Sequence, residues 1–156
     1  MDRNEKLSPH FTLGELIKSE TAERKGIDNM PPDNLIPKLK RLCTEILEPV
    51  RLHYGKPFRP NSGYRSAELN NAIGGSSSSQ HCKAEAVDIE VPGVSNYDLA
   101  VWIKDNIDFD QLILECYRRG EPTSGWVHVS LKSEGEKNRL VALTYSNRQY
   151  TQGLVA

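Results

Sequence analysis

The stretch SQHCKAEAVD (Ser79–Asp88) joins a polar loop to an apolar alternation, and it decides how the chain is interpreted. A run of serines, 76–79, leads into it, and alternating apolar residues continue from it to Val91. A loop should therefore deliver His81 to the start of a β-strand, and Asp88 should lie inside that strand. An imidazole and a carboxylate placed across such a junction can converge on one metal ion.

A second strand-like alternation supplies a third ligand. The segment WVHVS (Trp126–Ser130) has a histidine at its centre. Two histidines, one carboxylate and an open fourth position describe a catalytic zinc site. The sequence therefore predicts one Zn²⁺ per chain, held by His81, Asp88 and His128.

These motifs resemble the zinc D-Ala-D-Ala carboxypeptidase family. That family includes VanX-type dipeptidases and many phage endolysins, and it shares its fold with the hedgehog signalling domain. Its pattern is Ser-x-His-x-x-Gly-x-Ala-x-Asp followed by Trp-x-His. The chain matches this pattern at Ser79, His81, Ala86 and Asp88, but it has Ala84 where the family usually has glycine.

The resemblance covers residues 8–131 and implies two further roles. A Tyr-Arg pair precedes the first ligand in the family, and Tyr64-Arg65 matches it. The matching arginine holds the substrate and stabilises charge on the attacked carbonyl, which suits the bidentate grip of a guanidinium on an oxyanion. Ser79 resembles the family serine that hydrogen-bonds the peptide near the metal. We therefore expect Arg65 and Ser79 to bind substrate.

The general base is the weakest part of the resemblance. In VanX-type members a glutamate stands three residues before the last histidine ligand, and here that position is Gly125. The best substitute is Glu115, which ends the strand-like segment QLILE; its aliphatic neighbours should desolvate the carboxylate and raise its pKa. Phage-type relatives share a glutamate-ended strand followed by Trp-Val-His-Val-Ser. Glu121 remains an alternative, closer in sequence but on a loop.

The order of elements predicts an α+β fold, with N-terminal helices packed on a small, mostly antiparallel sheet of the hedgehog and D,D-peptidase type. Thr12 and Glu15 form a capping box that starts a helix ending at Gly26. A longer helix carries an apolar stripe from Leu35 to Val50. We expect residues 1–156 to form a single domain, with 1–10 irregular and both 1–10 and 146–156 peripheral.

Composition excludes several classes of protein. The net charge of −1 gives no basis for binding nucleic acid or an anionic membrane. The sequence contains no run of about 18 apolar residues, the length that could span a bilayer. Because no signal peptide is visible, we expect synthesis in the cytoplasm and action on the cell wall only after release, as in host lysis. The protein is expected to be a monomer.

The sequence thus predicts a zinc peptidase that cleaves peptidoglycan stem peptides, as a D,D-carboxypeptidase or an endopeptidase such as a phage endolysin. A tail-associated or immunity protein that processes the wall would use the same chemistry. A non-catalytic, zinc-containing binding domain of the same fold is the alternative, and Gly125 keeps it open. The sequence does not indicate which peptide bond is cleaved.

Overall fold

The N-terminal part of the molecule is helical apart from a short hairpin. A computed structural model describes residues 2–156. Its first elements are β1 (Lys6–Ser8), β2 (Phe11–Thr12), α1 (Leu13–Ile17) and α2 (Glu20–Lys25). β1 and β2 pair antiparallel, so the expectation that residues 1–10 are irregular is wrong for 6–8. A strand of three residues is too short to show a period, although Leu7 is only 5% exposed and joins the core.

The predicted capping box starts α1, but the helix is shorter than predicted. Thr12 accepts a hydrogen bond from the Glu15 amide, and the Glu15 carboxylate accepts one from the Thr12 amide. Lys18 then adopts an extended conformation, and Ser19 caps a separate helix, α2, through the amide of Ala22. A serine side chain that competes for backbone amides favours such a new start. The second helix ends at Gly26, as predicted, with a left-handed φ of 67°.

The apolar stripe lies on one continuous helical stretch. This stretch comprises a 3₁₀ turn (Asp33–Leu35), α3 (Ile36–Leu42), a π turn (Cys43–Leu47) and α4 (Glu48–Tyr54). The π turn ends at Leu47, two residues before Pro49, which has no amide hydrogen to continue the α-helical ladder. Proline therefore changes the local winding without ending the helix. The central stripe residues are at most 1% exposed: Leu39, Leu42, Ile46 and Val50.

The remaining elements form a five-stranded sheet with two helices. They are α5 (Ala67–Ala72), β3 (Ala86–Ile89), α6 (Asn96–Asn106), β4 (Gln111–Glu115), β5 (Trp126–Ser130), β6 (Val141–Ser146) and β7 (Gln149–Gln152). The strand order is β3-β5-β4-β6-β7. Every neighbouring pair is antiparallel except β4 and β6, which are parallel. The predicted α+β class with a mostly antiparallel sheet is confirmed.

The sequence did not predict β7, because all its residues are exposed and it has no buried face to create an alternation. Buried side chains of the helical layer and of the sheet form one hydrophobic cluster. That the whole of residues 1–156 is one domain with peripheral ends stays a prediction. Among residues 2–156, no helix is both long and apolar enough to cross a membrane.

An ion pair between the buried carboxylate of Asp110 and the half-exposed side chain of Arg139 links the start of β6 to β4. Asp110 is 1% exposed, and its carboxylate accepts hydrogen bonds from the Arg139 amide, Nε and Nη2 at 3.0, 2.9 and 2.9 Å. Burial alone would raise the pKa of Asp110, but the hydrogen bonds and charge of Arg139 outweigh it and lower that pKa. The pair therefore contributes most to stability when the carboxyl is ionised.

We predict that Arg139→Met lowers the free energy of unfolding by about 2 kcal/mol at neutral pH, because a buried carboxylate loses its partner. The pKa of Asp110 is lower in the folded than in the unfolded state. The ion pair therefore contributes fully to stability above the ordinary pKa of 3.8, and this contribution is lost as the pH falls through the pKa of the folded state. The stability gap between wild type and variant should therefore close in acid. Denaturant titrations from neutral pH to about pH 3 measure the gap; a gap that is constant over this range would contradict the assignment.

Candidate metal centre

The fold brings the three predicted ligands together. Asp88 on β3 and His128 on β5 are directly opposed in the antiparallel register. The Nδ1 atom of His128 lies 3.0 Å from Oδ1 of Asp88, and Nε2 of His81 lies 3.3 Å from Oδ2 of Asp88. All three residues are buried, and one donor atom from each lies within 4.8 Å of the others.

A tight turn delivers His81 to this place. Residues Gln80–Lys83 form a 3₁₀ turn, and the Ser79 hydroxyl caps it by accepting a hydrogen bond from the His81 amide at 3.2 Å. The turn ends at Ala84, which has a left-handed φ of 56°. An alanine in this conformation costs roughly 1–2 kcal/mol that a glycine would not. This explains on physical grounds why the related pattern has glycine at that position.

Both imidazoles are oriented by acceptors outside the cluster. Nδ1 of His81 donates to the Gly63 carbonyl at 2.7 Å, and Nε2 of His128 donates to Oε1 of Gln80 at 2.8 Å. Nε2 of Gln80 in turn donates to the Ser130 hydroxyl at 3.1 Å, which fixes the orientation of the amide. In each neutral ring the other nitrogen then presents a lone pair toward Asp88. Ligand histidines in metal sites are held in this way.

The donor set therefore fits a zinc ion. Two imidazole lone pairs and one carboxylate converge within 4.8 Å of one another, and the Arg65 guanidinium approaches only the carboxylate, with Nη2 3.6 Å from Oδ2 of Asp88. Zinc prefers these donors, and catalytic sites use three of them. Sequence reasoning missed Gln80: it stands next to His81 in the motif, but only the 3₁₀ turn aims its side chain at His128.

Asp88 is held in the ionised form. Burial raises the pKa of its carboxyl, but when the ring nitrogens of His128 and His81 that face it carry protons, their hydrogen bonds and charges outweigh burial and place that pKa well below its ordinary value. Arg65 adds to this field, because its Nη2 atom lies 3.6 Å from Oδ2 of Asp88. A carboxylate that stays charged when buried is suited to ligating a cation.

Arg65 is positioned beside the cluster by its own contacts. Its Nε donates to the Ser62 hydroxyl at 3.1 Å and its Nη1 to Oδ1 of Asn70 at 3.3 Å. Its backbone amide donates to the carbonyl of His81 at 3.2 Å. The guanidinium plane is thus fixed, while further N–H groups on both Nη atoms remain for a ligand.

The two candidate bases lie in different environments. Glu115 is paired with Trp126 across β4 and β5, so it lies on the sheet face of His128 and diagonal to it. Burial raises the pKa of Glu115; His128 opposes this shift and Asp88 adds to it. Glu121 lies on an exposed loop and forms an ion pair with Arg118. Of these two glutamates, only Glu115 therefore has a pKa influenced by the charges of His128 and Asp88.

Gly125 cannot carry the glutamate of VanX-type relatives in this backbone. Its φ is 67°, and a Cβ atom there would lie 2.0 Å from the carbonyl oxygen of Glu115 and 2.7 Å from the carbonyl carbon of Cys116. These neighbours are backbone atoms that cannot move aside cheaply. A carboxylate at this site must therefore come from another position in the chain.

The other two histidines of the chain lie apart from the cluster. His10 pairs with Glu48 through its Nδ1 at 2.7 Å. His53 stacks on Trp102 with ring centroids 4.4 Å apart. Each ring thus has a partner that accounts for its position without a metal ion.

An α+β fold in which a turn and two strands bring two imidazoles and a carboxylate together has the donor set of a metal-dependent hydrolase. A family model described as Peptidase M15 matches residues 9–130, which is most of the chain. The chain belongs to the Peptidase M15 family, and the predicted relationship to the zinc D-Ala-D-Ala carboxypeptidases is confirmed. Membership implies peptidase activity that depends on a metal. A search among curated proteins finds no match to the chain.

The geometry predicts one divalent metal ion per chain. His81→Ala and His128→Ala should each remove a donor and abolish stoichiometric binding, whereas His53→Ala should retain it. Elemental analysis of the purified proteins after dialysis measures the content. Full occupancy in either of the first two variants would exclude that residue as a ligand.

Proposed function

We propose that the protein is a zinc-dependent peptidase that hydrolyses peptide bonds in the stem peptides of peptidoglycan. The observation that carries the proposal is the convergence of His81, from the 3₁₀ turn, with Asp88 and His128 on one sheet face, with Arg65 beside Asp88 and Glu115 on the strand next to that of His128. Zinc, when bound, would polarise the scissile carbonyl and lower the pKa of a water molecule. The first three residues would hold it.

Glu115 is the general base in this proposal. It accepts a proton from the attacking water and passes it to the nitrogen of the leaving amine. A raised pKa suits this double task, because the carboxyl must both take up and release a proton near neutral pH. Its position diagonal to His128 puts its carboxylate on the sheet face of the ligands.

Arg65 is the substrate clamp. Its fixed guanidinium would bind a carboxylate or the carbonyl oxygen of the scissile bond, with no need to reorganise when charge develops there. Ser79 has a complementary task. Its hydroxyl oxygen already accepts from the His81 amide, and its own hydrogen can still be donated to a peptide carbonyl.

A groove beside Arg65 supports the choice of substrate. Its volume is about 750 Å³, and its lining includes Ser62 and Arg65 but none of the three predicted ligands. Its walls carry both charge signs, from Lys18, Arg59, Glu20 and Glu90. Stem peptides carry both carboxylates and amines, so they match such a lining better than an apolar peptide would. The setting that we propose is cell-wall cleavage of the kind performed by endolysins.

A binding domain without catalytic activity is the competing function, and one observation favours it. The position of the usual base is Gly125, which has no room for a side chain. If Glu115 does not act as a general base, the metal ion would only stabilise the fold and would not be catalytic.

Digestion of purified sacculi separates the two functions. The zinc-loaded protein should release soluble peptides whose new ends, identified by mass spectrometry, define the bond. A chelator should abolish release, and added zinc should restore it. Intact sacculi after incubation with the zinc-loaded protein would leave the binding domain as the function.

Glu115→Gln should lower the rate of hydrolysis by at least about 10²-fold, the lower end of a general base contribution. The amide has almost the same shape, so metal content and melting temperature should stay close to those of wild type. Glu121→Gln is the matched control and should keep its activity, because Glu121 lies in solvent beside Arg118. The opposite pattern of losses would make Glu121 the base.

Arg65→Lys should lower kcat/KM while the protein remains folded. Lysine keeps the charge but cannot form two parallel hydrogen bonds to one oxyanion group. Steady-state kinetics on the released peptides, combined with thermal melts, tests this. Wild-type kcat/KM in the lysine variant would remove Arg65 from the substrate site.

A further inference from the structure

A row of side chains crosses the sheet beside the candidate base. Trp126 is paired with Glu115, Glu115 with Tyr145, and Tyr145 with Tyr150, one residue from each of β5, β4, β6 and β7. Residues directly opposed in a sheet share a face, and Trp126 is two positions from His128 on β5. The row therefore lies on the metal-site face and extends away from the cluster on the far side of Glu115.

The two tyrosines, Tyr145 half-buried and Tyr150 exposed, form an aromatic surface at the end of this row. Their ring centroids are 4.6 Å apart, with an interplanar angle of 43°. Tyr150 is 61% exposed, one of the few large apolar side chains in the described chain that face solvent to this degree. Both tyrosines lie after residue 130, where the match to the Peptidase M15 family ends. The surface thus lies outside the region matched to the family.

A rigid turn holds Tyr150 in place. Ser146 and Gln149 are paired, so Asn147 and Arg148 form a two-residue hairpin loop, with φ values of 52° and 62°. Two left-handed residues are typical of a type I′ turn, which matches the twist of the strands and fixes the register. The surface is therefore preformed, which limits the entropy that a ligand must remove on binding.

The charge of Glu115 influences the phenol of Tyr150. Partial burial raises the pKa of its phenol, and the charges of Glu115 and Tyr145 raise it further. The hydroxyl is a hydrogen-bond donor at neutral pH, since even the ordinary tyrosine pKa of about 10 keeps it protonated. A Tyr side chain of this kind offers an apolar ring and a polar tip to a peptide.

We propose that Tyr145 and Tyr150 bind the part of the substrate that follows the scissile bond, and that they favour substrates with two or more residues there. This rests on the proposed function, since Glu115 must reach the leaving amine to protonate it. The leaving part of the peptide then lies beside Glu115, and the aromatic surface continues from that point.

The spacing of the strands determines how long a leaving peptide must be to reach each tyrosine. Strands are about 4.8 Å apart, so β7 lies roughly 10 Å from β4. An extended residue spans only ~3.3–3.6 Å. A single released amino acid would thus contact Tyr145 at most, whereas a leaving peptide of two or three residues reaches Tyr150. The surface favours an endopeptidase over a carboxypeptidase that removes one residue.

Two synthetic stem peptides test the proposal. They are identical up to the bond that sacculi digestion identifies, and they carry one or three residues after it. In the wild type, kcat/KM should be higher for the longer peptide. In Tyr150→Ala, the ratio of the two kcat/KM values should fall about tenfold, mainly through KM for the longer peptide. Tyr150→Phe should give a smaller fall, because the ring remains.

Thr151→Ala is the matched control, since Thr151 is the next residue on β7 and points to the opposite face of the sheet. It should keep the wild-type ratio, and melting temperatures exclude loss of the hairpin as the cause. An unchanged ratio in Tyr150→Ala, with both peptides cleaved, would overturn this proposal and leave the peptidase function intact. If wild type cleaves neither peptide nor sacculi, the proposed function itself fails.

Discussion

The pairing of Asp88 with His128 across two antiparallel strands is the constraint on which the site depends. A shift of one residue in this register would turn one of the two side chains to the other face of the sheet. The register is secured from both sides, because the two adjacent pairs, Val87 with Val129 and Ile89 with Val127, are fully buried on the core face. Hydrophobic burial on one face thus fixes polar chemistry on the other.

The helical layer serves the site through one short segment. Residues 61 and 62 pair with Asp88 at the outer edge of β3, and Gly63 then orients His81 through its carbonyl oxygen. Gly63 lies so close to α1 that a Cβ atom would be 2.2 Å from the carbonyl oxygen of Leu16. Asn29 links the same region by donating to the carbonyls of Ile17 and Tyr64. Packing of the N-terminal helices therefore determines the direction of an imidazole.

Much of this arrangement could be predicted from local signals. Alternation located β3 and β5, and the residue types on them indicated the convergence of His81, Asp88 and His128. The sequence did not indicate Gln80, whose contact with His128 needs the three-dimensional path of a turn. It also did not indicate β7, since a fully exposed strand has no buried period. The division of the first helix at Lys18 depends on a serine cap that competes with helix continuation.

His81, Asp88 and His128 should hold a metal ion and not merely form a buried hydrogen-bonded cluster. Anomalous diffraction at the zinc absorption edge, from crystals of the zinc-loaded protein, tests this most directly. We expect a single strong peak about 2.0–2.2 Å from His81 Nε2, His128 Nδ1 and an oxygen of Asp88. No peak at this position, with His128 Nδ1 still hydrogen-bonded to Asp88, would contradict it.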